Sequence, residues 1–79
     1  MNSDSDDHLF LQSLGLRIRQ LRHLKKLSQE ELGARSGLHR TYIGSIERGE
    51  QNISVVNLRK LAIGLGVAVG EIFIGSSAD

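Results

Sequence analysis

Between Gly37 and Gly49 the chain reads GLHRTYIGSIERG. Wound as an α-helix, at about 100° per residue, this segment sorts into two chemistries. Ile43, Ile46 and Glu47 share one side, while Thr41, Ser45 and Arg48 gather on the other with Arg40 and Gly44 flanking them. The outward strip is thus made of hydrogen-bonding groups and begins at the helix N-terminus. Arginine can pair bidentately with guanine O6 and N7, Thr and Ser can donate or accept, and the Thr methyl can touch a thymine methyl. A helix that presents such groups from its first turn has the geometry for a DNA major groove. Gly44 in mid-helix costs about 1 kcal/mol relative to Ala. It reads equally well as clearance for DNA or for a neighbouring helix.

Other chemistries find little support. The chain has no Cys, which removes disulfides and thiolate metal ligands together. His8, His23 and His39 are scattered, without a carboxylate at ligand spacing. No Gly-rich phosphate loop or HExxH pattern is present. We therefore expect no catalytic residue, no metal, no cofactor and no small-molecule ligand. No apolar run approaches the ~20 residues that span a bilayer, so no membrane role is expected. The acidic, polar N-terminus does not read as a secretory signal, and a cytoplasmic location is the default. Tyr42 is the only Tyr, so an aromatic platform for RNA is lacking.

Charge points the same way as the strip. The 79-residue chain carries a formal charge of only +1, but the charges are unevenly spread. Residues 1–16 hold Asp4, Asp6 and Asp7 and no Lys or Arg. Residues 17–48 hold eight Arg or Lys against Glu30, Glu31 and Glu47. A near-neutral total conceals a basic middle, which suits a polyanion or else a solvated helix face.

Five helices and no strand are expected to position these groups. Helix 1 is predicted from about His8 to Lys26, because Leu11, Leu14, Ile18 and Leu21 form one stripe at helical spacing. Helix 2 opens on the capping box of Ser28 and Glu31 and ends at Gly37. The opening segment forms helix 3, from about Arg40 to Arg48. Helix 4 follows the N-cap Ser54, buries Leu58, Leu61, Ala62 and Leu65, and ends at Gly66. Helix 5 covers about Val69 to Ile74. Only Gly37, Leu38 and His39 separate helices 2 and 3, a helix-turn-helix connection. Residues 1–8 are expected to be a disordered acidic tail, residues 9–74 a single domain, and residues 75–79 a flexible tail.

The run SQEELGARSGLHRTYIGSIERGEQNIS, Ser28 to Ser54, resembles the XRE family, the helix-turn-helix domains of phage Cro and repressor proteins. HRTYIGSIERG further resembles the controller proteins of restriction–modification systems. The resemblance implies an all-α, five-helix, lambda-repressor-like DNA-binding domain with helices 2 and 3 as the helix-turn-helix. It implies a transcriptional regulator that binds double-stranded operator DNA, represses by blocking RNA polymerase and activates by contacting it. By position it assigns base reading to Arg40, Thr41 and Ser45. It assigns phosphate contacts to Gln29, Tyr42, Arg48, Gln51 and Asn52, and a structural ion pair to Arg22 and Glu47. The inward place of Glu47 on the wheel independently asks for a cationic partner.

Three positions depart from the family pattern. Gly33 replaces the usual Ala where helices 2 and 3 cross. His39 stands where helix 3 is usually capped by Ser or Thr, which implies a weaker cap or one supplied by a phosphate. Ala68 stands where helix 5 is usually capped by Ser or Asp. Helix 5 also holds more apolar side chains than a short terminal helix can bury. Val69, Ile72, Phe73 and Ile74 are therefore expected at the interface of a homodimer, the form that matches pseudo-palindromic operators. Two alternatives stay open: a phage- or plasmid-type repressor, and an antitoxin-like module of the same fold that binds protein.

Overall fold

A computed structural model describes residues 3–73, with side chains from Ser5 onward. It contains five helices: α1 (Ser3–Leu24), α2 (Gln29–Ser36), α3 (Arg40–Glu47), α4 (Val55–Leu65) and α5 (Val69–Phe73). No strand occurs among the described residues. The all-α class, the helix order and the helix-turn-helix formed by α2 and α3 agree with the sequence reading.

Both ends of α1 differ from it. The helix starts at Ser3, so residues 3–8 are not a tail. No Pro or Gly interrupts the chain before Gly15, and Asp6 and Asp7 add negative charge near the N-terminal end of the helix dipole. At the other end α1 stops at Leu24, and Lys26 takes the left-handed conformation with φ of 58°. Its amide bonds to the His23 carbonyl, and the Leu27 amide to the Arg22 carbonyl. This is a helix stop of the kind Gly normally provides, made here by a lysine.

The other caps follow from local chemistry. Ser28 Oγ accepts from the Glu31 amide at 3.0 Å and Glu31 Oε1 accepts from the Ser28 amide at 2.8 Å. These bonds lower the Glu31 pKa below the usual carboxylate range. Gly37, at φ of 75°, closes α2. His39 does cap α3: its Nδ1 accepts from the Thr41 amide at 3.1 Å. An unprotonated ring nitrogen thus does the work of a hydroxyl, with no phosphate needed.

The core is one cluster of Leu14, Ile18, Leu21, Leu27, Leu32, Ile43, Ile46, Leu58, Leu61, Ala62, Leu65 and Ile72. α2 lies against α3 and α4, while α1 crosses α3 and also holds α5. Two of these contacts are backbone-close. A Cβ on Gly33 would stand 2.6 Å from the Leu38 carbonyl oxygen, and one on Gly15 would stand 2.7 Å from the Glu47 carbonyl oxygen. Gly33 is therefore matched to the tight turn between α2 and α3 rather than being a casual replacement for Ala.

Ile72 has no exposed surface and belongs to this core. Its expected place in an interface is corrected accordingly. The short α5 must seal α1 and α4, and only one of its faces can do so. Arg17 fastens it, with Nε and Nη2 donating to the Glu71 carbonyl oxygen at 3.2 and 3.1 Å. Val69 and Phe73 keep 37% and 39% of their surface exposed. Ile74 lies outside the described residues.

Candidate nucleic-acid interface

The site is built on α3. Ile43 and Ile46 point into the core at 0% and 1% exposure and fix which face of the helix is left outward. From the far end the helix is held by a charged pair. Arg22 Nε donates to Glu47 Oε2 at 2.7 Å and Arg22 Nη2 to Glu47 Oε1 at 2.9 Å. The two side chains retain only 9% and 4% of their surface. Arg22 Nη1 also donates to the Leu27 carbonyl oxygen at 2.9 Å, so this buried guanidinium is hydrogen-bonded on several sides. The bonds to Glu47 raise the Arg22 pKa above its ordinary value against the opposing pull of burial.

Gln29 joins the same network. Its Nε2 donates to Glu47 Oε1 at 3.1 Å, which places the first residue of α2 beside the C-terminal half of α3. This answers the question posed by Gly44. A Cβ there would stand 3.2 Å from Arg48 Nη1 and 3.5 Å from Gln29 Oε1. Gly44 leaves room for two polar side chains that border the outward face.

On that face Arg40 and Thr41 are exposed at the N-terminus of α3. Arg40 Nη1 lies 3.4 Å from Glu30 Oε1, with both side chains largely in water, so the pair holds it loosely. Ser45 does not share the face. It is 8% exposed, and its Oγ donates to the Tyr42 carbonyl oxygen at 2.7 Å. Past α3 the chain turns back, with the Glu50 amide donating to the Ser45 carbonyl oxygen at 2.9 Å.

The flanks carry the rest. Tyr42 is half-buried against the core, and its Oη accepts from Asn57 Nδ2 at 3.0 Å. Arg48 is exposed and forms a double hydrogen bond with Glu50, Nε to Oε2 at 2.9 Å and Nη2 to Oε1 at 3.1 Å. These bonds hold the Glu50 carboxyl below the usual carboxylate range and raise Arg48. Gln51 is half-buried and Asn52 exposed in the loop that leads to α4. Asp7, Phe10 and Leu11 share a crevice with Asn52, so the acidic start of α1 lies at one edge of the face.

Of the residues expected to read bases, Arg40 and Thr41 are exposed at the N-terminus of α3, whereas Ser45 is buried. Of the five expected phosphate contacts, Gln29 opens α2, Tyr42 lies on α3, Arg48 follows it, and Gln51 and Asn52 lie in the loop that leads to α4. Three residues that the sequence reading passed over belong to the site: Asn57, Glu30 and Glu50. The two glutamates had one available signal, since each sits beside an arginine-bearing stretch with the opposite charge. Asn57 had none, because its partner lies 15 positions away on another helix.

Among the described residues no group of His, Cys, Asp or Glu could hold a metal, and no helix is long and apolar enough to cross a membrane. A helix-turn-helix whose second helix exposes Arg and Thr at its N-terminus, set beside the basic C-terminal half of α1, defines a DNA-binding regulator. The chain belongs to the helix-turn-helix family HTH_3, whose model matches residues 18–72. Its relatives include control protein C.MunI of a Mycoplasma species, 47% identical over 60 residues that span 75% of this chain and 81% of that protein. Control protein C.BamHI of Bacillus amyloliquefaciens is 48% identical over 54 residues, 67% of each chain. The crystal structure of the restriction–modification controller protein C.AhdI from Aeromonas hydrophila superposes with a TM-score of 0.78 at 49% identity, covering 80% of this chain and 96% of that one.

Proposed function

We propose that the protein is a sequence-specific transcriptional regulator that binds pseudo-palindromic operators as a homodimer and controls a restriction–modification operon, including its own gene. The observation that carries this reading is the exposure of Arg40 and Thr41 at the start of a helix whose opposite side is locked into the core. The likeness to the control proteins supports the choice of operon. In the bound state Arg40 and Thr41 read base edges. Gln29, Tyr42, Arg48, Gln51 and Asn52 hold phosphates and set register, because backbone contacts position a protein on DNA while base contacts specify the site.

Binding-site selection from random duplexes tests the reading. One enriched sequence with two-fold symmetry is expected, with a copy upstream of the protein's own gene. Absence of any enriched sequence would instead favour a protein-interaction module of the same fold. Arg40→Ala is expected to weaken binding to the selected site by about 1–3 kcal/mol and to relax base preference at one position in each half-site. Equal weakening on selected and random duplexes would make Arg40 a phosphate contact.

Dimerisation rests on apolar surface left in water around the Gly66 turn: Ile63 on α4 and Val69 and Phe73 on α5. Ile63, 64% exposed, was not anticipated from sequence. A two-fold pair places two recognition helices about 34–36 Å apart, one turn of the duplex. Phe73→Asp is expected to yield monomers in analytical ultracentrifugation and to abolish cooperative occupancy of the two half-sites. A dimer that survives this change would move the interface elsewhere.

A further inference from the structure

Tyr42 is held from outside its own helix. Its Oη accepts a hydrogen bond from Asn57 Nδ2 at 3.0 Å, and both residues are half-buried. Asn57 is itself fixed by the start of α4, where its backbone amide donates to the N-cap oxygen Ser54 Oγ at 3.1 Å. The order of placement therefore runs from the cap of α4, through the Asn57 side chain, to the phenol on the recognition helix. α4 packs on α2, so the phenol is referred to the body of the domain rather than to α3 alone.

The direction of this bond has a chemical consequence. A phenol has one proton to donate, whereas the NH₂ of an amide can only donate. Toward Asn57 the Tyr42 oxygen must be the acceptor, so its own proton is left for another partner. Among the described residues no group accepts it. A phosphodiester oxygen carries lone pairs and no proton, which makes it a matching acceptor. Had Asn57 presented its carbonyl oxygen, the phenol proton would be consumed inside the protein.

We propose that Asn57 is a positioning residue for DNA binding, which fixes the rotamer and the donor polarity of Tyr42 so that the phenol O–H is presented to a backbone phosphate. This rests on the proposed function, and in particular on Tyr42 as a phosphate contact. Fixing a side chain before binding removes an ordering cost of about 0.5–1.5 kcal/mol, equivalent to roughly 2- to 12-fold in affinity.

A double-mutant cycle in DNA affinity tests the proposal. Wild type, Asn57→Ala, Tyr42→Phe and the double variant are titrated against the selected duplex and a shuffled one, at a temperature where circular dichroism shows each to be folded. Asn57→Ala is expected to weaken binding by roughly 2- to 12-fold, by the same factor on both duplexes, and to have no further effect in the Tyr42→Phe background. If Asn57→Ala weakens binding equally in both backgrounds, Asn57 touches DNA itself or supports the fold generally, and the proposal fails. If Tyr42→Phe weakens binding and Asn57→Ala does not, the positioning role alone fails. If Tyr42→Phe leaves affinity unchanged, the phosphate role of Tyr42 fails and takes the proposal with it. If wild type binds neither duplex, the functional reading itself is overturned.

Discussion

Glu47→Ala is expected to remove about 3–5 kcal/mol of folding stability, the usual result of breaking a buried ion pair from one side. Arg22 would keep its charge at 8% exposure and lose two short hydrogen bonds. Only its bond to the Leu27 carbonyl oxygen would remain. A small domain has a total of about 5–15 kcal/mol to lose, so this change takes a large share. In thermal unfolding at fixed protein concentration the midpoint should fall by roughly 12–40 °C. Replacing both partners by apolar residues of similar volume, Arg22→Met with Glu47→Leu, should do much less harm, because no charge is left behind. A loss below about 1 kcal/mol for Glu47→Ala would mean that the pair behaves as an exposed one, contrary to its burial here. Gln29 adds a second readout. With Glu47 gone it loses the anchor for its Nε2, so DNA affinity should fall further than stability alone explains.

Gly15→Ala is the second large effect. Elsewhere in an exposed helix this substitution gains nearly 1 kcal/mol. Here the new methyl collides with the Ile46 carbonyl oxygen and stands 2.7 Å from that of Glu47. Both obstacles are backbone of α3, which cannot swing aside as a flexible side chain can. Overpacking of this kind costs about 1–3 kcal/mol and occasionally more, so the net change should be a clear destabilisation measured by urea unfolding. Gly70→Ala provides the contrast. It lies in helical α5 with nothing within 4 Å of its added Cβ, and it should unfold at or above the wild-type midpoint. Equal stability of the two variants would show that α1 and α3 separate more easily than their contact suggests.

Much of this architecture is legible in the residues because its determinants are local. The capping box of Ser28 and Glu31, the left-handed Gly37 and Gly66, and the apolar stripes of α1 and α4 each lie within one or two turns. The inward place of Glu47 was legible too, since a carboxylate among isoleucines requires a cation. What escaped the sequence depends on segments meeting from a distance. Ile72 is buried because α5 has to close the end of the core. The Arg17 bond to Glu71 spans 54 positions, and that of Asn57 to Tyr42 spans 15. The stop at Lys26 escaped for a different reason: a lysine in the left-handed conformation breaks the rule by which such stops are recognised.

The pairing of Arg48 with Glu50 bears on how binding responds to salt. Each guanidinium that reaches a phosphate displaces a condensed cation from the DNA, and the number displaced sets the slope of log affinity against log salt, about −0.9 per phosphate. A carboxylate abandoned in the same step becomes an open anionic site and recruits a cation from solution. The two exchanges run in opposite directions. For Arg48 the net ion release should therefore be smaller than its phosphate contact alone would give, and the salt slope will undercount the contacts. Glu50→Gln should steepen the slope while leaving the set of touched phosphates unchanged.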